Sequence, residues 1–98
     1  MSISFLARFR VKPEHEADFV ALVAPMEANA KHEPATLAYK FYRLTEPHWF
    51  AVFESFVDEA ADEAHQANPA NVEIIKKMVE YMDGGYTREY LFPIDDGN

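Results

Sequence analysis

Glu54 and His65, eleven positions apart, are the residues of this chain best equipped for proton chemistry. A neutral imidazole can take the proton of a phenolic or enolic hydroxyl near neutral pH, leaving an electron-rich anion. The ordinary alternative for His65 is a helix histidine hydrogen-bonded to a neighbouring strand or carboxylate, holding the helix in place. Glu54 stands in an otherwise apolar stretch, Trp49 to Phe56, where an unpaired carboxylate is expensive to bury. Its expected partner is Arg8, Arg43, Arg88 or His65. A Glu54–His65 hydrogen bond would orient the ring and raise its basicity, whereas a purely structural ion pair would fix strand and helix register.

Around these two stand aromatic residues numerous enough to line a pocket for a flat, largely apolar ring: Tyr39, Phe41, Tyr42, Trp49, Phe50, Phe56 and Tyr81. Most aromatics at strand and helix spacing serve only as core. Arg88 shares one side of a strand with Tyr86, Tyr90 and Phe92, where it would either stabilise an enolate or superoxide charge or bridge to an acidic neighbour. Metal chemistry has little basis: His15, His32, His48 and His65 fall on separate elements, with no helix carrying two ligands at i, i+4. No glycine-rich phosphate loop is present either, because Gly84-Gly85 follows a helix instead of opening one.

The elements that must position these residues read clearly. Ile3 to Val11 alternates as a strand and is closed by Pro13, which suits the start of a helix running to about Ala30 with Phe19, Leu22, Val23 and Met26 as its stripe. Thr36 to Leu44 and Trp49 to Val57 form two strands joined by a tight turn, hence an antiparallel hairpin. Asp58 caps a helix from Glu59 to about Ala67. Asn68 and Pro69 start another helix, whose stripe is Val72, Ile75, Met78, Val79 and Met82 and which Gly84-Gly85 ends. The acidic, alanine-rich run from Asp58 to Ala67 reads as a solvated helix face. Tyr86 to Phe92 is the last strand. The order predicts an α+β, ferredoxin-like split β-α-β arrangement: a four-stranded antiparallel sheet with helices on one face.

The 98 residues make one domain, expected over 1–94, with a polar tail at 95–98. Seventeen acidic against nine basic residues give a net charge of −8, which repels nucleic acid and anionic lipid. The absence of cysteine excludes disulfides and thiolate chemistry. Without a signal-peptide pattern or a long apolar span, the expected location is the cytoplasm and no membrane partner is expected.

The third strand carries a further requirement. Trp49, Phe50, Ala51, Val52, Phe53, Glu54, Ser55 and Phe56 are apolar on both sides, whereas a sheet with one wet face alternates. Helices cover one face, and a chain this short has nothing left for the other. A homodimer with sheets packed face to face is the expected solution, since each large aromatic left in water forfeits about 1.5–3 kcal/mol.

Glu33-Pro34, the Tyr39 strand, the run Glu54-Ser55-Phe56-Val57-Asp58 and the downstream His65 together resemble the antibiotic biosynthesis monooxygenase family, over nearly the whole chain from Phe5 to Pro93. The resemblance implies a dimeric ferredoxin-like α+β barrel. It also implies a cofactor-independent monooxygenase that oxidises a phenol, quinol or polyketide-like ring with O₂. Within that reading His65 and Glu54 are catalytic, and Tyr39, Phe56, Phe50, Val52, Tyr81 and Arg88 bind substrate. The chain departs from the family pattern where Ala35 replaces a glycine and Phe56 a tryptophan. Val52 replaces the asparagine of polyketide oxidisers. Ala7, His65 and Ile75 replace the residues of the haem-degrading branch, so no haem or other cofactor is expected. The alternatives are a noncatalytic dimeric module that binds a small apolar ligand, and an isomerase of a small signalling molecule, which would need a phosphate site that so acidic a chain does not obviously provide.

Overall fold

The computed structural model describes residues 2–94; the polar tail expected at 95–98 lies outside them. The chain runs β1 (Ile3–Val11), a 3₁₀ turn (Pro13–His15), α1 (Glu16–Lys31), β2 (Thr36–Arg43), β3 (Trp49–Phe56), α2 (Glu59–Ala67), α3 (Pro69–Tyr81) and β4 (Met82–Tyr90). All strand pairings are antiparallel and the sheet order is β2-β3-β1-β4. This is the ferredoxin-like α+β architecture the element order predicts.

Local chemistry sets the helix starts. The Asp58 carboxylate accepts from the Ala61 amide at 2.9 Å, and the Asn68 side chain accepts from the Ala70 amide at 3.0 Å, with Pro69 in the first turn where its missing N–H has no partner to lose. Pro13 opens a 3₁₀ turn ahead of α1. α1 continues through Pro25, whose ring lies on the exposed side.

The helices lie on one face of the sheet. Ala7, Phe9 and Val11 of β1 and Phe50 and Val52 of β3 pack there against Phe19 and Met26 of α1 and Met78 of α3. A smaller cluster of Phe5, Phe56 and Ala61 closes the α2 end. On the opposite face the register sets Leu6 beside Phe53 and Arg8 beside Ala51, with Trp49 at the end of the same row. No described helix covers this face.

Three sequence expectations need correction. Gly84-Gly85 does not end a helix: α3 stops at Tyr81, and both glycines lie inside β4 at φ of +92° and +76°. They occupy the stretch where the β1–β4 register shifts, since Phe9 pairs with Tyr86 but Val11 with Met82. A residue with a Cβ is strained at such angles, so glycine permits the bulge there. β4 ends at Tyr90, which puts Phe92 beyond the strand and largely in solvent. The run from Asp58 to Ala67 is also not simply a solvated face: Ala61, Asp62 and His65 are buried.

Candidate active site

Between the helix-side face of the sheet and helices α2 and α3 lies a cleft of about 530 Å³, its open mouth included. Ala7 and Phe9 of β1, Tyr39 and Phe41 of β2, and Val52 and Glu54 of β3 form the sheet side. His65 and Gln66 close it from α2, and Ile75, Met78 and Val79 from α3. Tyr86 and Arg88 of β4 complete the wall. The lining is apolar and aromatic except for a few polar groups, the composition expected of a site for a small organic ligand.

His65 is 3 % exposed and tightly held. Its Nδ1 is 2.8 Å from Glu33 Oε1, while Nε2 points toward Glu54, 3.9 Å from Oε1. Glu33 is itself fixed by three further donors, each at 2.8 Å: Thr36 Oγ1 on Oε1, and Asn68 Nδ2 and Asn71 Nδ2 on Oε2. Asn71, fully buried, also donates to the His65 carbonyl at 3.0 Å and so ties the start of α3 to α2. Burial pushes the Glu33 carboxyl up, but hydrogen bonds from His65, Asn68, Thr36 and Asn71 outweigh it and hold Glu33 below the ordinary carboxylate range. An ionised Glu33 can only accept, so Nδ1 carries a proton, and in the neutral form of the ring the lone pair lies on Nε2, on the side of the cleft. The Tyr39 and Phe56 rings flank the imidazole with centroids 4.8 and 5.4 Å away.

Glu54 differs electrostatically from Glu33. It is 9 % exposed and makes no hydrogen bond to a described residue. Burial pushes its carboxyl up to about 8; Arg88 opposes this, and Asp62 and Glu33 reinforce it. At neutral pH Glu54 is therefore mainly a neutral acid able to donate. Arg88 is held by Asp62 through two contacts, 2.7 Å from NH1 and 3.2 Å from NH2, and its guanidinium lies 4.0 Å from the Phe5 ring centroid. Burial lowers its proton affinity, but the hydrogen bonds to Asp62 and Tyr90 outweigh that, and it stays charged. Burial, reinforced by Glu54 and Glu33, pushes the Tyr39 hydroxyl well above the ordinary tyrosine range, so it remains a neutral phenol.

Of the residues singled out from sequence, the structure gathers His65, Glu54, Tyr39, Phe41, Val52, Tyr86 and Arg88 around one cleft. It does not gather the others. Phe56 is fully buried beneath the imidazole against Phe5, Phe50 lies in the core beside Phe9 and Phe19, and Tyr81 stacks on His15 at 4.8 Å. The Glu54–His65 hydrogen bond is not formed at 3.9 Å; Glu33 orients the ring instead. The other proposed partners of Glu54 are engaged elsewhere: Arg8 faces Glu89 on the far side of the sheet, Arg43 bonds Glu16, and Arg88 bonds Asp62. Sequence reasoning used Glu33 only as half of the Glu33-Pro34 pair behind the family resemblance and passed over Asn71. The available signal was composition: Glu33, Asn68 and Asn71 are polar residues beside helix ends that must pack closely.

The sequence profile of the antibiotic biosynthesis monooxygenase family matches residues 2–77, and the chain belongs to that family. Solved structures share the fold. Rv0793 from Mycobacterium tuberculosis superposes with a TM-score of 0.86 at 19% identity, covering 100% of both chains. An antibiotic biosynthesis monooxygenase superposes with a TM-score of 0.86 at 20% identity over 94% of this chain and 98% of its own. A protein from Caulobacter crescentus CB15 gives 0.85 at 26% identity over 96% and 91%. No curated protein matches the chain.

Proposed function

We propose that this chain is a small cofactor-independent monooxygenase that oxidises a phenol, quinol or polyketide-like aromatic substrate with O₂, using His65 Nε2 as the base. The observation that carries this reading is the Glu33–His65 pair, which engages Nδ1 and turns Nε2 toward a largely apolar, aromatic cleft. Family membership supports the reaction class.

The chemistry needs no outside reductant. Nε2 takes the hydroxyl proton of the substrate's phenol or enol form, and the resulting anion transfers one electron to O₂. The radical pair then joins as a carbon-bound peroxide. That peroxide loses water as the carbon's remaining hydrogen departs, so a CH₂ beside an aromatic carbonyl becomes C=O. One oxygen atom enters the substrate, the other leaves as water, and the protonated His65 returns its proton to the departing oxygen. Glu33 steadies the imidazolium, and the Glu54 acid hydrogen-bonds the developing anion.

The domain, read as residues 1–94, works as a cytoplasmic homodimer with outer sheet faces packed together. Support comes from Leu6, Phe53 and Trp49, half-buried on the sheet face that no described helix covers. The test is oxygen uptake over a panel of quinols and anthrone-like compounds, comparing the wild type with His65→Gln, whose amide can still donate to Glu33. Uptake that falls by ~10²-fold or more in the variant is expected. Ligand binding with no uptake from any compound would favour the noncatalytic binding module.

A further inference from the structure

Glu54 is the one acidic group lining the cleft among the described residues, and no described residue hydrogen-bonds its carboxyl. It is nine-tenths buried, lies mid-strand between Phe5 and Tyr39, and faces a largely apolar cleft whose other polar groups are His65, Gln66, Arg88 and the hydroxyls of Tyr39 and Tyr86. Its Oε1 is 3.9 Å from His65 Nε2, too far for a direct hydrogen bond. A single oxygen atom at ~2.8 Å from each would fill that gap.

We propose that the cleft selects uncharged phenols and enols by seating one hydroxyl oxygen between these two groups, the hydroxyl donating to His65 Nε2 and accepting from the Glu54 carboxyl, and that it excludes carboxylates, sulfonates and phosphates. This deepens the monooxygenase reading and rests on the same site. The polarity is set by the partners. With Nδ1–H committed to Glu33, Nε2 of the neutral ring can only accept. Glu54 donates because burial among Asp62 and Glu33 keeps it protonated. Exclusion of anions follows from Arg88, the one cation that an anion would seek in the cleft among the described residues. Both of its terminal nitrogens face Asp62, NH1 lies 3.4 Å from the Tyr90 hydroxyl, and one guanidinium face covers Phe5. An entering anion would meet a cation already neutralised, with the Glu33 carboxylate behind the histidine.

Calorimetric titration without turnover tests this with three ring-matched probes at mildly acidic pH: 4-nitrophenol, its methyl ether 4-nitroanisole, and 4-nitrobenzoate. 4-Nitrophenol is expected to bind at least about tenfold tighter than the ether and about a hundredfold tighter than the carboxylate. Glu54→Gln, whose amide still donates, retains that affinity within about threefold, whereas Glu54→Leu loses about tenfold. The leucine variant folds readily, because it replaces a buried polar group with an apolar one of similar size.

Equal affinity for the ether, preference for the carboxylate, an unaffected Glu54→Leu variant, or no binding of 4-nitrophenol would each overturn the proposal. The same binding pattern without oxygen uptake from the quinol panel would sink the monooxygenase reading and leave this one standing. Uptake without the pattern would do the reverse.

Discussion

Two glutamates about one histidine do opposite work because their surroundings differ. Glu33 has four hydrogen-bond donors and is held ionised; Glu54 has none and is held neutral. Stability should report this. Glu54 keeps its proton in the folded protein between 4.5 and about 8, where the unfolded chain has lost it, so stability falls as pH rises across that window, by up to ~1.4 kcal/mol per pH unit. Urea unfolding of Glu54→Gln should remove that component of the slope. Glu33 acts in the other direction: its contribution is full above 4.5 and disappears as pH falls below it. Glu33→Gln should lower turnover by at least ~10-fold while 4-nitrophenol still binds, because the amide no longer fixes the histidine's tautomer or stabilises its cation. A variant with unchanged kcat would reduce Glu33 to a structural residue. Glu54 was legible in the sequence as a lone carboxylate on an apolar strand, and His65 as the histidine eleven positions downstream that the family pattern shares. Glu33 was not legible in this role, because its contact with His65 spans 32 positions and depends on how two helix ends meet a loop.

At the scale of elements, α2 is the hinge between chemistry and fold. It carries His65 into the cleft and is tied to β4 by Asp62–Arg88 and to α3 by Asn71. Breaking a largely buried bridge leaves a charge without its partner. Asp62→Ala should therefore cost about 2–4 kcal/mol in chemical denaturation, against ~1 kcal/mol for Asn68→Ser, which keeps a capping oxygen but loses the amide donated to Glu33. Hydrophobic alternation and caps made the strand and helix order readable. They failed at β4, where Gly84-Gly85 resembles a helix stop and instead forms a bulge visible only against the register of β1. They failed again on α2, where an acidic, alanine-rich composition conceals an inward-facing Asp62.

For the molecule as a whole, one sheet face is packed by helices and the other is left to Leu6, Ala51, Phe53 and Trp49. Phe53→Lys, set between Leu6 and Lys40 in the register, should convert a dimer of the 11.3 kDa chain into monomers in light scattering without removing the cleft. A wild-type monomer at micromolar concentration would contradict the proposed assembly. The proposed chemistry rests more narrowly on which nitrogen of one buried imidazole holds the proton. Long-range ¹H–¹⁵N correlation of the histidine side chains reads this directly. The Glu33 contact predicts the Nδ1–H tautomer for the neutral His65 ring, with the lone pair on Nε2; a neutral ring protonated on Nε2 instead would leave the cleft without its base.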